Sequence, residues 1–226
     1  MLIVSKVGEV SVASTGEAST VSRLDRRKAR TRQALVDAAV RLIAAGRGER
    51  ASIQEITEAA DVGFGSFYNH FTSKEELFDA ASAEVLERWG QMIDRACAEI
   101  TDPAEVFAVS FRISARLGWT HPDIAKFVTG AGLDLLDAPH GLAPRALRDI
   151  KAAQAAGRFT IRSADVALAA VAGDLIGLLW LHQRHPDRID ETAVDQLTEA
   201  ILRLLGLADD EAARLATLPL PATGSW

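Results

Sequence analysis

Ser52-Ile-Gln-Glu-Ile-Thr-Glu-Ala-Ala-Asp-Val-Gly-Phe-Gly-Ser-Phe-Tyr-Asn-His-Phe71 decides the reading of this chain. Ser52 followed three residues later by Glu55 is a capping box, so a short helix opens there with Ile53, Ile56, Ala59 and Ala60 on its inner side. It stops at Asp61-Val62-Gly63, where Asp61 suits a left-handed backbone. A second short helix is predicted over Phe64 to Phe71. Two short helices across a turn of three or four residues have the spacing of a helix-turn-helix. Ile56, Val62, Phe67 and Phe71 are spaced to form the small core that fixes the crossing angle. Gly63 and Gly65 permit close approach, and Ser66, Tyr68, Asn69 and His70 are left facing outward as hydrogen-bonding groups for phosphates and base edges. On this pattern alone a helical hairpin with a solvated polar face stays open beside the DNA reading.

Working outward, Ala34, Leu35, Ala38, Ala39, Leu42 and Ile43 recur at spacings of three and four, an amphipathic helix starting near Leu24 and closed by Gly46 and Gly48. Downstream, Ser73-Lys-Glu-Glu76 reads as a second capping box. It launches a long helix with Leu77, Phe78, Ala81, Val85, Leu86, Trp89, Ile93 and Ile100 on one stripe, ending before Asp102-Pro103. Further helices are predicted near 104–117, 122–130, 142–156, 164–184, 191–206 and, more weakly, 209–217. The expectation is an all-α chain. It comprises a flexible arm (1–22), a helix-turn-helix domain (23–72), a second helical domain (73–218) and a loose tail (219–226).

The net charge of −6 argues against a nucleic-acid partner until its distribution is considered: residues 23–50 carry nine Arg or Lys against three acids, and residues 80–226 fourteen against twenty. A basic end on an acidic remainder suits a protein that offers one end to a polyanion, and equally an ordinary solvated face. Arg23, Arg26, Arg27, Arg30 and Arg32 read as a mobile basic arm. The lone Cys97 excludes an internal disulfide, reads as packed core and fits a reducing cytoplasm. Val166 to Leu181 is the most apolar stretch, but Asp174 interrupts it, so it reads as a buried helix and not a membrane span. No nucleophile elbow, phosphate loop, cysteine pair or metal-ligand spacing occurs. His182 and His185 stand three apart near a helix end, and His121 and His140 are isolated. Hence no catalytic residue, metal or cofactor is expected.

The stretch Ser52 to Leu77, with Thr31-Arg32, Leu35, Ala38 and Ala39 upstream, resembles the DNA-binding signature of the tetracycline-repressor (TetR) family over roughly residues 28–78. Asp61 stands where that family usually has glycine, and Gly63 where it usually has a Ser or Thr cap. The resemblance implies that Arg30 and Thr31 lie near the DNA backbone and that Ser52 caps beside a phosphate. It further implies that Gly65 and Ser66 approach bases, that Tyr68, Asn69 and His70 contact phosphates or groove edges, and that Lys74 meets a phosphate. It also implies a palindromic operator, a homodimer and a small-molecule effector whose binding releases a repressor, with residues 23–72 as the DNA-binding domain and 73–218 as the effector-binding and dimerisation domain. A regulator without effector, or an activator, is the alternative.

For the dimer, Ala167, Ala170, Gly173 and Gly177 form a small-residue face on one helix. Leu197, Ile201, Leu204 and Leu205 form a stripe on the next, and intramolecular packing of the same stripes is the competing reading. For an apolar or amphipathic effector, the aromatic residues Trp89, Phe107, Phe111, Trp119 and Phe127, with Trp180 further on, are the candidate lining. Arg112, His121 and Asp174 are the candidate polar contacts.

Overall fold

The computed structural model describes residues 23–45 and 47–222, and all regular structure among them is helical. The arm predicted at 1–22, Gly46 and the last four residues of the tail lie outside the described residues. Helix α1 runs from Arg23 to Ala44. No glycine or proline interrupts it, and Asp25 in its first turn and Arg41 in its last suit the helix dipole. The arginines at 23, 26, 27, 30 and 32 therefore belong to a helix and not to a mobile arm. Arg23 to Arg30 are all exposed, so roughly 12 Å of helix at 1.5 Å per residue stands clear of the core.

Helix α2 spans Ile53–Ala59 and α3 Phe64–Phe67. Ser52 and Glu55 form the full reciprocal box, and Asp61 takes the left-handed conformation at φ 53°. The second helix is shorter than the pattern predicts. Beyond Phe67 single turns bonded from His70 N–H and Phe71 N–H to the Phe67 carbonyl (2.9 and 3.0 Å) carry the coil on to Phe71. Helix α4, Lys74–Ala96, is capped by Ser73. Its box does not close as predicted, because the Glu76 carboxylate accepts from the Thr72 N–H and hydroxyl, both at 2.7 Å.

The remaining helices are α5 (Pro103–Ala115), α6 (Leu117–Thr120), α7 (Pro122–Ala131), α8 (Leu142–Ala155), α9 (Ala164–Arg184), α10 (Glu191–Leu204) and α11 (Asp209–Thr217). A 3-10 segment, Gly132–Asp137, that the periodicity did not reveal leads into α8. Two cores share the molecule. One joins α1, α2 and α3 to α4 and α7 through Leu35, Ile56, Phe67, Phe71, Leu77 and Ile124; the other joins α5, α8, α9, α10 and α11. Helix α5 feeds both, Val109 and Ile113 into the first and Phe107 and Phe111 into the second. The packing is continuous across the boundary expected at 72/73. Leu220, in the tail predicted to be loose, packs against the first core.

Helix α9 is long and apolar enough to cross a bilayer, yet only one side of it is inside the protein. It is half-buried, where the sequence pointed to a buried helix. Val166 (70%) and Trp180 (49%) are exposed on its outer side, together with Gly173 and Gly177. A Cβ added to either glycine would meet nothing within 4 Å. On α10 Leu204 is exposed, while Ala170 on α9 and Leu197 on α10 are half-buried. Ile201 is corrected: with Val194, Thr198 and Leu202 it lies on the inner side of α10, 1% exposed, and faces its own core.

Candidate nucleic-acid interface and effector cavity

The helix-turn-helix is held by contacts that leave its outer side chains free. Arg41 of α1 donates to the Ala59 carbonyl at the end of α2 (2.9 Å), and the Arg32 guanidinium lies over the Phe71 ring, 4.9 Å from its centroid. Phe67 and Phe71 are buried beneath Tyr68, which is 56% exposed and edge-on to Phe67 at 5.2 Å. Asn69 is exposed, and Ser66, His70 and Thr31 are half-buried. Gly65 is exposed with nothing near its absent Cβ. The Ser52 hydroxyl is committed to Glu55, accepting from its N–H at 3.2 Å and donating to its carboxylate at 3.0 Å. Lys74 donates to the Ala51 carbonyl at 3.3 Å, which ties α4 to the start of α2. Arg30, Thr31, Ser52, Gly65, Ser66, Tyr68, Asn69, His70 and Lys74 thus come together on and beside one segment. Ser52 and Lys74 already serve the fold there.

A cavity of about 100 Å³ lies between α4, α5, α8 and α9. Phe107, Phe111, Leu142, Leu168, Val171 and Ile176 give it apolar walls; Asp94, Arg145, Arg148 and Asp149 form a charged end. Next to that end a cleft bordered by Pro139, His140 and Pro144 opens outward. Arg145 forks onto Glu87 (2.8 and 2.9 Å) and reaches Asp94 (2.8 Å) and the Gly141 carbonyl (2.8 Å). Gly141 has φ 91°, and its N–H donates to Glu87 at 2.9 Å, so the start of α8 is latched to α4. The Arg145 fork, helped by the Gly141 N–H, holds the Glu87 carboxyl at about 2. Arg148 bridges Asp94 and Asp149, both at 2.8 Å. Asp149 is 5% exposed, and burial pushes its carboxyl above the usual range despite Arg148. Only its Oδ1 is bonded among the described residues. Gly90 makes room for all this: a Cβ there would stand 2.7 Å from Arg145 Nε.

Of the side chains expected in an effector site, Phe107 and Phe111 line the cavity and the others do not. Trp89 stacks edge-on with His121 at 4.9 Å, and Trp119 lies flat on His182 at 4.0 Å. Phe127 packs against the first core, and Trp180 sits on the exposed side of α9 with Arg184 over it. Arg112 is a buried strut, bonded to Asp195 (2.9 Å) and the Leu218 carbonyl (2.6 Å), so its charge is satisfied within the fold. Asp174 lies away from the cavity on α9, half-buried and without a partner among the described residues; burial raises its carboxyl. Cys97 is buried as expected, its thiol pushed up by desolvation.

Sequence reasoning missed Glu87, Gly90, Asp94, Arg145, Arg148 and Asp149. One signal was available: Asp149 falls among Leu142, Ala146, Ile150 and Ala153, on the apolar stripe of α8, where a carboxylate needs a reason.

Residues 35–81 match the family described as bacterial regulatory proteins, tetR family, and residues 102–217 the tetracyclin repressor-like C-terminal domain. The chain belongs to the tetR family. Among solved structures it is similar to RolR in complex with resorcinol, with 32% identity, a TM-score of 0.76 and coverage of 88% of this chain and 99% of that one. Ligand-free RolR matches at a TM-score of 0.72 and 32% identity, covering 84% and 98%. The nicotine-responsive transcriptional repressor HdnoR of Paenarthrobacter nicotinovorans is 35% identical over 94 residues, 41% of this chain. The match spans 44% of that relative, less than half its length.

Proposed function

We propose that this tetR-family protein is a cytoplasmic, homodimeric repressor that leaves a palindromic operator when a single-ring aromatic carrying hydroxyl groups fills the cavity. The observation that carries the effector class is Asp149, a buried carboxylate on the cavity wall with one oxygen bonded to Arg148 and the other unclaimed. That second oxygen is not sealed off, so a phenolic hydroxyl entering the cavity can donate to it. Glu87, Asp94 and Asp149 outnumber Arg145 and Arg148, so a further anion is disfavoured where a neutral hydroxyl is not. The cavity of about 100 Å³ is smaller than the about 150 Å³ that takes up benzene, so a single ring fits only by reaching into the open cleft beside it, and a long acyl chain has no space. Resorcinol, the ligand in the RolR complex, is such a dihydroxybenzene.

Helix α4 supplies the coupling. It begins directly after the DNA-facing segment, and Leu86 at its middle and Ile93 and Asp94 near its other end line the cavity. A ligand that prefers one setting of α4 shifts the protein toward it, and operator must weaken that ligand by the same factor. For the dimer, Val166, Gly173, Gly177 and Trp180 of α9 and Leu204 of α10 offer an apolar face with close-approach room. The test is to select bound duplexes from random DNA and then titrate resorcinol, phenol and benzoate with and without saturating operator. Release by the phenols and not by benzoate is expected, with reciprocal loss of affinity. Resorcinol affinity indifferent to operator would overturn the coupling, and preference for benzoate would overturn the effector class.

A further inference from the structure

The DNA-facing segment carries a side chain that a hydrogen-bonding surface does not use. Phe64, the first residue of α3, is 54% exposed, with its ring edge-on to Tyr68 at 6.0 Å. Tyr68 is edge-on to buried Phe67, so Phe64 is the outermost ring of a series leading from the core to the surface. Next to it stands Gly65, and the fold does not call for a glycine there. Its φ is not in the left-handed region, and an added Cβ would meet nothing within 4 Å. An exposed apolar ring beside a bare stretch of backbone suits an apolar group on another molecule that comes close. The surroundings select a polyanion as that molecule, because Arg32 lies over Phe71 at the end of the same segment and exposed arginines continue along α1.

We infer that Phe64 reads a thymine in the operator by packing against its 5-methyl group in the major groove, with Gly65 leaving the room for that approach. The inference rests on the DNA-binding reading above. Thymine is the one base that shows an apolar group in the major groove, and phenylalanine has neither donor nor acceptor with which to read any other feature. Ser66, Tyr68, Asn69 and His70 around it supply the polar contacts.

The experiment uses the full chain and its best selected duplex, with each thymine replaced in turn by deoxyuridine, which removes only the methyl. Wild type is expected to lose about fourfold in affinity for each contacted methyl, the worth of one buried carbon. Phe64→Ala is expected to bind the thymine duplex more weakly and no longer to distinguish the two bases at that position, while keeping wild-type melting behaviour. If no deoxyuridine substitution weakens wild type, the inference is overturned, whether or not the variant folds. It is also overturned if Phe64→Ala weakens thymine and deoxyuridine duplexes alike with the discrimination intact, since the ring then only braces Tyr68. A wild-type protein that selects no duplex at all overturns the DNA-binding reading, and this one with it.

Discussion

The DNA-facing segment and the charged end of the cavity are built in opposite ways. In the first, the caps that start the helices are local, Ser52 with Glu55, Thr72 with Glu76 and Ser73 with the Glu76 N–H, and the longer ties from Arg41 to Ala59 and from Lys74 to Ala51 end on backbone carbonyls. The segment's outward side chains, Tyr68 and Asn69, are exposed. In the second, every anchoring bond of Arg145 to a carboxylate spans more than fifty positions, to Glu87 and Asp94, and the carboxylate proposed to meet the effector, Asp149, is buried. One site is a local shape with exposed chemistry; the other is buried chemistry assembled from distant helices. Substitutions in the first should therefore separate stability from binding, whereas those in the second should move both together.

The largest departure from that separation should come from the aromatic floor. Phe67→Ala empties a fully buried site under the DNA-facing segment and should cost about 3–5 kcal/mol in chemical denaturation, with operator binding lost. A cost below 1 kcal/mol would mean that Phe67 does not anchor the segment. Arg145→Ala strips half-buried Glu87 of its main partner and Asp94 of one of two, and should cost about 1–3 kcal/mol, with resorcinol binding abolished in calorimetry. Gly90→Ala should displace Arg145 and weaken the same ligand more than it weakens the fold.

Acid titration sharpens the same contrast. Glu87 is held at about 2 against an ordinary 4.5, so its contribution is complete above pH 4.5 and is lost as pH falls toward 2. Asp149 works the other way: its raised carboxyl penalises the fold when ionised, and the penalty lifts as pH falls through the raised value toward 3.8. Denaturation followed against pH should show wild type losing stability more steeply than Glu87→Gln between pH 4.5 and 2.

The smaller effects belong to the exposed segment. Gly65→Ala should raise stability by about 0.4–1 kcal/mol, because helical backbone loses a freedom it does not use, and should still weaken operator binding. Tyr68→Ala should leave the melting transition within about 0.5 kcal/mol of wild type while reducing operator affinity at fixed salt. Unchanged affinity in both variants would take the segment out of the interface.

The sequence by itself determined the all-α class, the helix-turn-helix and the position of most later helices, because caps, periodicity and turn residues act over three or four positions. Ser52 with Glu55, Asp61 at its left-handed turn and Asp102-Pro103 at the start of α5 each state their role within that span. Only the tertiary structure decided the cavity. Periodicity says that Phe107, Trp119 and Phe127 face inward without saying which meet a void, and the aromatic guess went mostly to plain packing. Arg112 and Arg145 look alike in sequence, each in an amphipathic helix. What separates them is which distant groups they meet, Asp195 and Leu218 in one case, Glu87 and Asp94 at a cavity wall in the other. Ile201 and Leu204 likewise share a stripe on paper, and it took the packing of α10 to turn one inward and leave the other in water. Contacts between residues fifty or more positions apart depend on how whole helices cross, and no local pattern records that.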